Sequence, residues 1–482
     1  MSPISEAQRA ALEQALSRLG LLGTLQKAFS GAGHELYLVG GPVRDALLGV
    51  APDDLDLTTS ARPDEIERLL RPLGTAVWDT GRDFGTIGTL VRDGGREYRV
   101  EVTTFRADAY QPGTRKPVVA FGDSVTDDLV RRDFTINAMA LDLADHCLID
   151  PYRGVSDLAS GILRTPSEPE VSFTDDPLRM LRAARFATRF QLRPVPELVR
   201  AMTELAPRLE IVSAERVRDE LSKLLLADRP RVGLDLMVRT GLAQYVLPEL
   251  PALRLEADEH HRHKDVYEHS LTVLDQAIAL ERQRNHEPDL VNRLAALLHD
   301  IGKPRTRRFE PGGKVSFHHH DVVGAKLARA RLTKLRFPKD VVESVSRLVG
   351  LHLRFHGYGD GQWTDSAVRR YVRDAGPELE RLHILTRSDC TTRNQAKATR
   401  LRRAYEELEW RIDELAAQEE LDAVRPDLDG NQIMELLGLS PGREVGEAYR
   451  FLLERRLDRG PVEPEAAKAE LLAWWADRTQ SQ

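Results

Sequence analysis

The 482-residue sequence predicts an α/β domain followed by a long, predominantly α-helical remainder. Three observations carry that prediction. Residues 36–59 (LYLVGGPVRDALLGVAPDDLDLTT) read as strand, tight turn, helix and second strand. Two β-rich runs, 86–91 and 98–105, flank the turn Asp93-Gly94-Gly95, which marks a hairpin. Beyond Gly161, apolar residues recur mostly at helical spacing. A chain of this length exceeds what one core organises, so three or four domains are expected.

Composition narrows the function classes. The net charge of −7 argues against a general nucleic-acid coat. Residues 179–232 nevertheless hold twelve Lys/Arg against seven Asp/Glu, a local charge of +5. That stripe is compatible with one polyanion site, or with a well-solvated helical surface. The sequence has no apolar run near 18 residues, so no membrane span is expected. The N-terminal MSPISEAQRAALEQAL lacks a basic start and an apolar segment and does not read as a secretory signal. Two cysteines, Cys147 and Cys390, cannot form a disulfide framework and fit a reducing cytoplasm.

Taken in order, residues 5–30 predict one amphipathic helix, with Leu12, Ala15, Leu16, Leu19 and Leu22 on a shared face. Leu36-Tyr37-Leu38-Val39 is a buried strand, and Gly40-Gly41 allows a tight turn close to a ligand. Pro42 suits the first turn of the helix over 43–48, whose free N–H groups suit a phosphate. In the strand that follows, Asp54 and Asp56 share a face while Leu55 and Leu57 point inward. Adjacent carboxylates repel each other, and a pair of hard divalent cations is a common reason to place them together. Glu101, on the second hairpin strand, reads equally as a third carboxylate beside that pair or as an exposed strand residue. Residues 107–119 carry no apolar period and read as a mobile basic loop.

Arg131-Arg132-Asp133-Phe134-Thr135-Ile136-Asn137 places two cations, an acid and an amide before what reads as an apolar helix face. Arg132 suits a triphosphate, and Asp133 can accept a hydrogen bond from a ribose hydroxyl. In Asp175-Asp176-Pro177-Leu178-Arg179-Met180-Leu181-Arg182-Ala183-Ala184-Arg185, helical spacing sets Asp176, Arg179 and Arg182 along one face. An acceptor beside a donor matches the Watson–Crick edges of adenine and cytosine, and mismatches guanine and uracil. Ser213 caps a further helix over 213–221, and 161–250 reads as all-helical. Eleven of the fourteen histidines then fall between His260 and His356. His269, His299-Asp300 and Asp389 lie on or beside predicted helices. The chain ends in helical segments over 398–418, 445–457 and 464–475, punctuated at 427–432.

Gly40-Gly41-Pro42-Val43-Arg44-Asp45-Ala46-Leu47-Leu48-Gly49, followed by Asp54-Leu55-Asp56-Leu57, resembles the signature of class II tRNA nucleotidyltransferases and bacterial poly(A) polymerases. The RRD segment and the segment at 175–186 recur in the order that family shows, although its acidic pair is usually Glu-Asp where this chain has Asp175-Asp176. His269, His299, Asp300 and Asp389 match the H…HD…D pattern of HD-superfamily phosphohydrolases. The resemblance implies a mixed-sheet nucleotidyltransferase head at 1–160, a helical neck binding nucleobase and RNA at 161–255, an HD domain at 256–395 and a helical tail touching tRNA at 396–482. It implies that Asp54 and Asp56 hold two Mg²⁺ ions for nucleotidyl transfer, and that Gly41, Arg44 and Arg132 position phosphates. Asp176 and Arg179 would read the base, and Arg182 and Arg185 would brace that site or contact phosphate. His269, His299, Asp300 and Asp389 would bind a divalent metal of unstated identity, with His320 and His352 as ligands of a second ion. The expected substrates are tRNA, CTP and ATP, and the expected reaction is addition or repair of the tRNA 3′-terminal CCA in the cytoplasm, without a membrane partner. Rival readings are a poly(A) polymerase, a chain that is chiefly an HD phosphohydrolase on nucleotides or RNA ends, and a non-catalytic RNA-binding scaffold.

Overall fold

The computed structural model describes residues 6–17, 19–106, 121–122, 124–255, 266–311, 315–357, 363–392, 394–419 and 425–480. The loop expected over 107–119 lies outside the described residues. The chain divides into two compact units, Met1–Pro248 and Glu249–Gln482. No helix among the described residues is long and apolar enough to cross a membrane.

The first unit is built on a seven-stranded sheet. Its strands are β1 (Leu36–Val39), β2 (Asp54–Thr59), β3 (Ala76–Trp78), β4 (Thr86–Asp93), β5 (Arg96–Thr104), β6 (Ala140–Asp142) and β7 (Leu148–Ile149). Their spatial order is β3-β4-β5-β2-β1-β6-β7. β2 and β5 run parallel while the other neighbouring pairs are antiparallel, so the sheet is mixed as expected. The period-2 pattern decides what each face does. Leu36, Leu38, Leu55, Leu57, Val100 and Val102 pack with Leu22, Leu25, Phe29, Ile66 and Leu70 of the flanking helices. Truncating one of these to Ala would cost about 2–5 kcal/mol. The opposite face carries Tyr37, Val39 and Phe105 in a smaller cluster and leaves the acids of β2 open.

Three local expectations change. The single helix over 5–30 is two helices, Glu6–Leu16 and Gly20–Gly31. Asp93 accepts a hydrogen bond from the Leu21 N–H at 2.9 Å, and a Cβ on Gly20 would lie 3.3 Å from the same carboxylate. A new helix therefore starts there, with its free N–H satisfied by a distant acid. The residues after the RRD segment form a 3-10 turn, Thr135–Asn137, and then β6, not a helix. Asp133 takes the Phe134 N–H, and Thr135 donates to the Arg164 carbonyl, so the backbone groups a helix would need are already used. The hairpin strands are longer than expected because both Gly94 (φ 55°) and Gly95 (φ 82°) occupy left-handed backbone, the geometry of a two-residue turn that follows sheet twist.

The rest of the first unit is mostly helical, with Pro169–Asp175, Leu178–Arg189, Pro196–Leu205, Ala214–Leu225 and Arg231–Arg239, but 161–250 is not all-helical as expected, because Ile162–Leu163 and Arg193–Pro194 form a short parallel pair. The second unit holds helices Val266–Gln283, Leu290–Leu298, His320–Lys334, Lys339–Leu351, Asp365–Ala375 and Leu379–Ser388, with a short hairpin of Arg308–Phe309 and Val315–Ser316. Its last helices are Gln395–Glu419, Gly430–Leu437, Arg443–Arg459 and Pro464–Gln480. Asp429 and Gln432 form a reciprocal capping box at the punctuation noted in the sequence. Leu428, Ile433, Leu452 and Leu471 bury a small core there, and Trp474 stacks on Phe451 at 4.7 Å.

Candidate functional site

Two clusters of chemistry stand out, one in each unit. In the first, register sets the geometry. Asp54 pairs with Arg99 and Asp56 with Glu101 across β2 and β5. Paired residues of neighbouring strands share a face, so three carboxylates stand side by side on the open face of the sheet. Glu101 is thus the third carboxylate and not an isolated strand residue; Arg99 donates to it at 2.6 Å. The Asp56 carboxylate is open to solvent, yet the surrounding floor desolvates it enough to push its pKa upward. Arg132 opposes that shift, and Glu101 and Asp54 add to it. An acid crowded by others and raised in pKa, as Asp56 is, is what a divalent ion relieves.

Gly40 joins this floor to the RRD segment. Its φ of 74° lies in left-handed backbone, and a Cβ there would fall 2.8 Å from Arg132 Nη1. Only glycine lets the guanidinium lie against the turn. Arg132 donates to Asp128 at 2.8 Å, and its buried Nε has no protein partner among the described residues. An orphaned guanidinium N–H at the mouth of a glycine turn fits an anionic oxygen. Buried Asp128 also holds Arg131; burial would raise its pKa, but the two arginines bring it below the usual carboxylate range. Sequence reasoning missed Asp128, although its spacing of three and four residues from the arginine pair was a readable signal.

Arg44 departs from its expected role. It is 4% exposed, donates to Asp45 (2.8 Å) and Asn137 (2.5 Å), and lies over the Phe190 ring at 4.4 Å. Through these contacts it braces the turn from beneath. Asp133 departs as well. Its Oδ1 accepts from the Phe134 N–H (2.8 Å) and Asn137 (3.0 Å), and its Oδ2 from Arg182 (2.8 and 2.5 Å). With both oxygens engaged twice, a ribose hydroxyl reaches it only by displacing a partner. Burial would raise the Asp133 pKa, but Arg182 and Asn137 overturn that and hold it at about 2.

Asp176, Arg179 and Arg182 do not share one helix face. Asp176 lies in extended backbone between two helices, because Pro177 cannot continue the first. Its carboxylate accepts from the Leu178 N–H at 3.2 Å and from Arg216 at 2.8 Å. Arg179 donates to Ser172 Oγ at 2.8 Å and to the Arg131 carbonyl, tying this segment to the RRD turn. Arg185 is buried against Glu220 (2.6 Å) and the Phe186 ring (4.3 Å), a bracing position. Arg216 and Glu220, unremarked within the 213–221 helix, are therefore parts of the same network.

In the second unit, helix ends bring six side chains together. His269, His299 and Asp389 present ligand atoms within 4.8 Å of one another, and so do Asp300, His320 and His352. Asp300 joins the two groups: its Oδ2 lies 3.2 Å from His299 Nε2, and its Oδ1 lies 3.2 Å from His320 Nε2 and 3.9 Å from His352 Nε2. The Nδ1 atoms of His299, His320 and His352 each lie 2.7–2.9 Å from the backbone carbonyl three residues earlier. Those contacts fix the tautomer and aim every Nε2 lone pair inward. His352 Nε2 is buried without a protein partner among the described residues. Convergent imidazole lone pairs around a shared carboxylate fit a divalent metal. Without metal, burial alone would push His299 down, but Asp300 and Asp389 hold its pKa at about 10, whereas burial and the His299 charge take His352 to about 4; a cation bound to His299 Nε2 would have to displace that proton. His320 is buried while its neighbours His318 and His319 are exposed, a distinction the run of three histidines concealed.

The carboxylate row and RRD turn of the first cluster, and all of the second cluster, fall within regions matched by family profiles. A family profile for the poly A polymerase head domain matches residues 36–164. Profiles for a probable RNA- and SrmB-binding site of polymerase A and for the HD domain match residues 192–253 and 266–394. The A-adding tRNA nucleotidyltransferase of Deinococcus radiodurans is 35% identical over 455 residues, 92% of this chain and 96% of that protein. The CC-adding tRNA nucleotidyltransferase of Thermus thermophilus is 33% identical over 460 residues, 92% and 94% of the two chains. The crystal structure of the Bacillus stearothermophilus CCA-adding enzyme in complex with CTP superposes with a TM-score of 0.68 at 25% identity, covering 97% of this chain and 99% of that one. This chain belongs to the class II tRNA nucleotidyltransferase family, with the family's head and RNA-binding region followed by an HD domain.

Proposed function

We propose that the chain builds or repairs the 3′-terminal CCA of tRNA from CTP and ATP, without a template and with release of pyrophosphate. The observation that carries this reading is the row of Asp54, Asp56 and Glu101 beside the Gly40–Arg132 turn. Divalent ions held by Asp54 and Asp56, Mg²⁺ in the cytoplasm, would supply activation of the acceptor 3′-hydroxyl and neutralise charge on the triphosphate. Arg132 and the Gly40-Gly41 backbone then orient the phosphates, while Arg44 and Asp128 act as positioning residues that fix that turn from behind. Asp176 and Arg179 read the base edge, with Arg216 orienting Asp176. Asp133, Arg182 and Arg185 hold the base-reading segment against the RRD turn. Glu101 completes the acidic set.

A second reading concerns how much of the CCA end is made. Two relatives that span more than nine-tenths of this chain carry names for A addition and CC addition alone, whereas the Bacillus stearothermophilus structure that covers 97% of it is a CCA-adding enzyme. A single assay separates these outcomes: purified protein, Mg²⁺, CTP and ATP are offered with tRNA ending before CCA or after CC, and products are sized. Three additions to the first RNA support the proposal. Two additions to the first and none to the second indicate CC addition, and one addition only to the second indicates A addition. Long A tracts on unrelated RNA would identify a poly(A) polymerase instead. For the HD domain we propose metal-dependent hydrolysis of a phosphate ester, supported by the Asp300-bridged ligand groups. Release of phosphate from nucleotides or RNA ends, abolished by a chelator and restored by metal, tests it.

A further inference from the structure

The head sheet continues past the carboxylates, and what stands there has no role so far. Glu101 pairs with Gly88 on β4, and Gly88 pairs with Trp78 on β3. Asp56, Glu101, Gly88 and Trp78 thus form one cross-strand row on one face. At about 4.8 Å per strand, the Trp78 backbone stands roughly 14 Å from that of Asp56. The indole reaches back over Gly88, where a Cβ would fall 2.2 Å from its ring. The ring is half-buried, with the Arg99 guanidinium 5.3 Å from its centroid.

In-line phosphoryl transfer places the attacking oxygen and the leaving pyrophosphate on opposite sides of the reacting phosphorus. The phosphate-orienting groups, Gly40, Gly41 and Arg132, lie at the end of β1, on one side of β2. The attacking hydroxyl must therefore approach from the other side, across β5, β4 and β3. Trp78 lies on that approach, in register with the acids and backed by a cation. An aromatic plane beside an arginine is the arrangement on which unpaired bases stack and phosphates are neutralised.

We infer that Trp78 is a stacking platform for the unpaired 3′ end of the acceptor RNA, and that it positions the terminal hydroxyl at the carboxylates. This rests on the proposed reading of the head site. The alternative is that Trp78 only covers a bare glycine in the sheet. Trp78→Leu keeps apolar cover without a π-face, and Trp78→Phe keeps both. The expected result for full-length Trp78→Leu is a rise of about tenfold in KM for tRNA lacking CCA, with KM for CTP within about twofold of the parent and Trp78→Phe retaining most acceptor affinity. Trp78 is also the one tryptophan before residue 363. Acceptor RNA should quench a fluorescence component present in the parent and missing from Trp78→Phe. An unchanged acceptor KM in Trp78→Leu, equal rises in both KM values, or identical quenching in parent and Trp78→Phe would overturn the inference. The quenching needs no turnover. If the parent adds no nucleotide to any RNA, the functional reading fails while quenching still decides the stacking.

Discussion

The head site and the HD cluster bring acids together in opposite ways. Asp54, Asp56 and Glu101 stand open on one sheet face, supplied by two neighbouring strands. Asp300, His299, His320 and His352 are buried, gathered from three separate stretches of chain at helix ends, with imidazoles held by backbone carbonyls. An open site of carboxylates alone suits hard ions that enter and leave with a phosphate substrate. A buried set of tautomer-fixed imidazoles suits an ion that stays, because burying such groups unpaired would cost folding free energy. The contrast predicts two independent activities with different metal behaviour.

Asp56→Ala should break the comparison on one side only. Removing a metal ligand at the reacting phosphorus is expected to lower transfer by at least about 10³-fold, since each 1.4 kcal/mol of lost stabilisation is tenfold in rate. Phosphate-ester hydrolysis should be unchanged. Primer extension and phosphate release measured on one preparation check it, and parallel loss of both would end the two-site picture. His299→Ala is the mirror experiment. It should weaken metal retention by about 100-fold or more, read by elemental analysis after dialysis, while nucleotide addition persists.

The two regions also differed in how far the sequence revealed them. Gly40-Gly41 and Asp54-x-Asp56 are local: turn, helix and strand follow from neighbouring residues. The role of Glu101 was not local, because parallel pairing of β2 with β5 joins residues more than 40 positions apart. The residues after Asp133 read as a helix because apolar spacing cannot show that Asp133, Asn137 and Arg164 have already taken the backbone and side-chain partners. For Asp176, the proline that follows it was visible, and its power to end a helix outweighed the i, i+3 pattern. In the HD region the ligand order was legible, but only the fold separates buried His320 from exposed His318 and His319.

The Asp133–Arg182 pair sharpens the comparison, being an ion pair of the first unit, buried on its Asp133 side, that binds no metal in the proposed reading. Asp133 titrates at about 2 when folded, below the unfolded carboxylate value. A depressed pKa contributes stability that is complete above about pH 4 and is lost as pH falls toward 2. Asp133→Asn should therefore cost about 2 kcal/mol at neutral pH and progressively less below pH 4. Urea unfolding of parent and variant across that range checks it, and a difference that is constant with pH would refute the electrostatic account.

The smallest effect asks whether the head selects its base with protein alone. Arg179 donates to Ser172 and to the Arg131 carbonyl, so its guanidinium is held by two separate segments of the chain. A donor so fixed can discriminate between bases, since a mismatched edge leaves a desolvated polar group unpaired. Arg179→Ala should reduce the preference for CTP and ATP over UTP and GTP by about tenfold, with overall transfer falling less than in Asp56→Ala. Competition between CTP and UTP on one acceptor measures this directly. Unchanged selectivity would move base reading to Asp176 and Arg216, a second acceptor–donor pair in that segment.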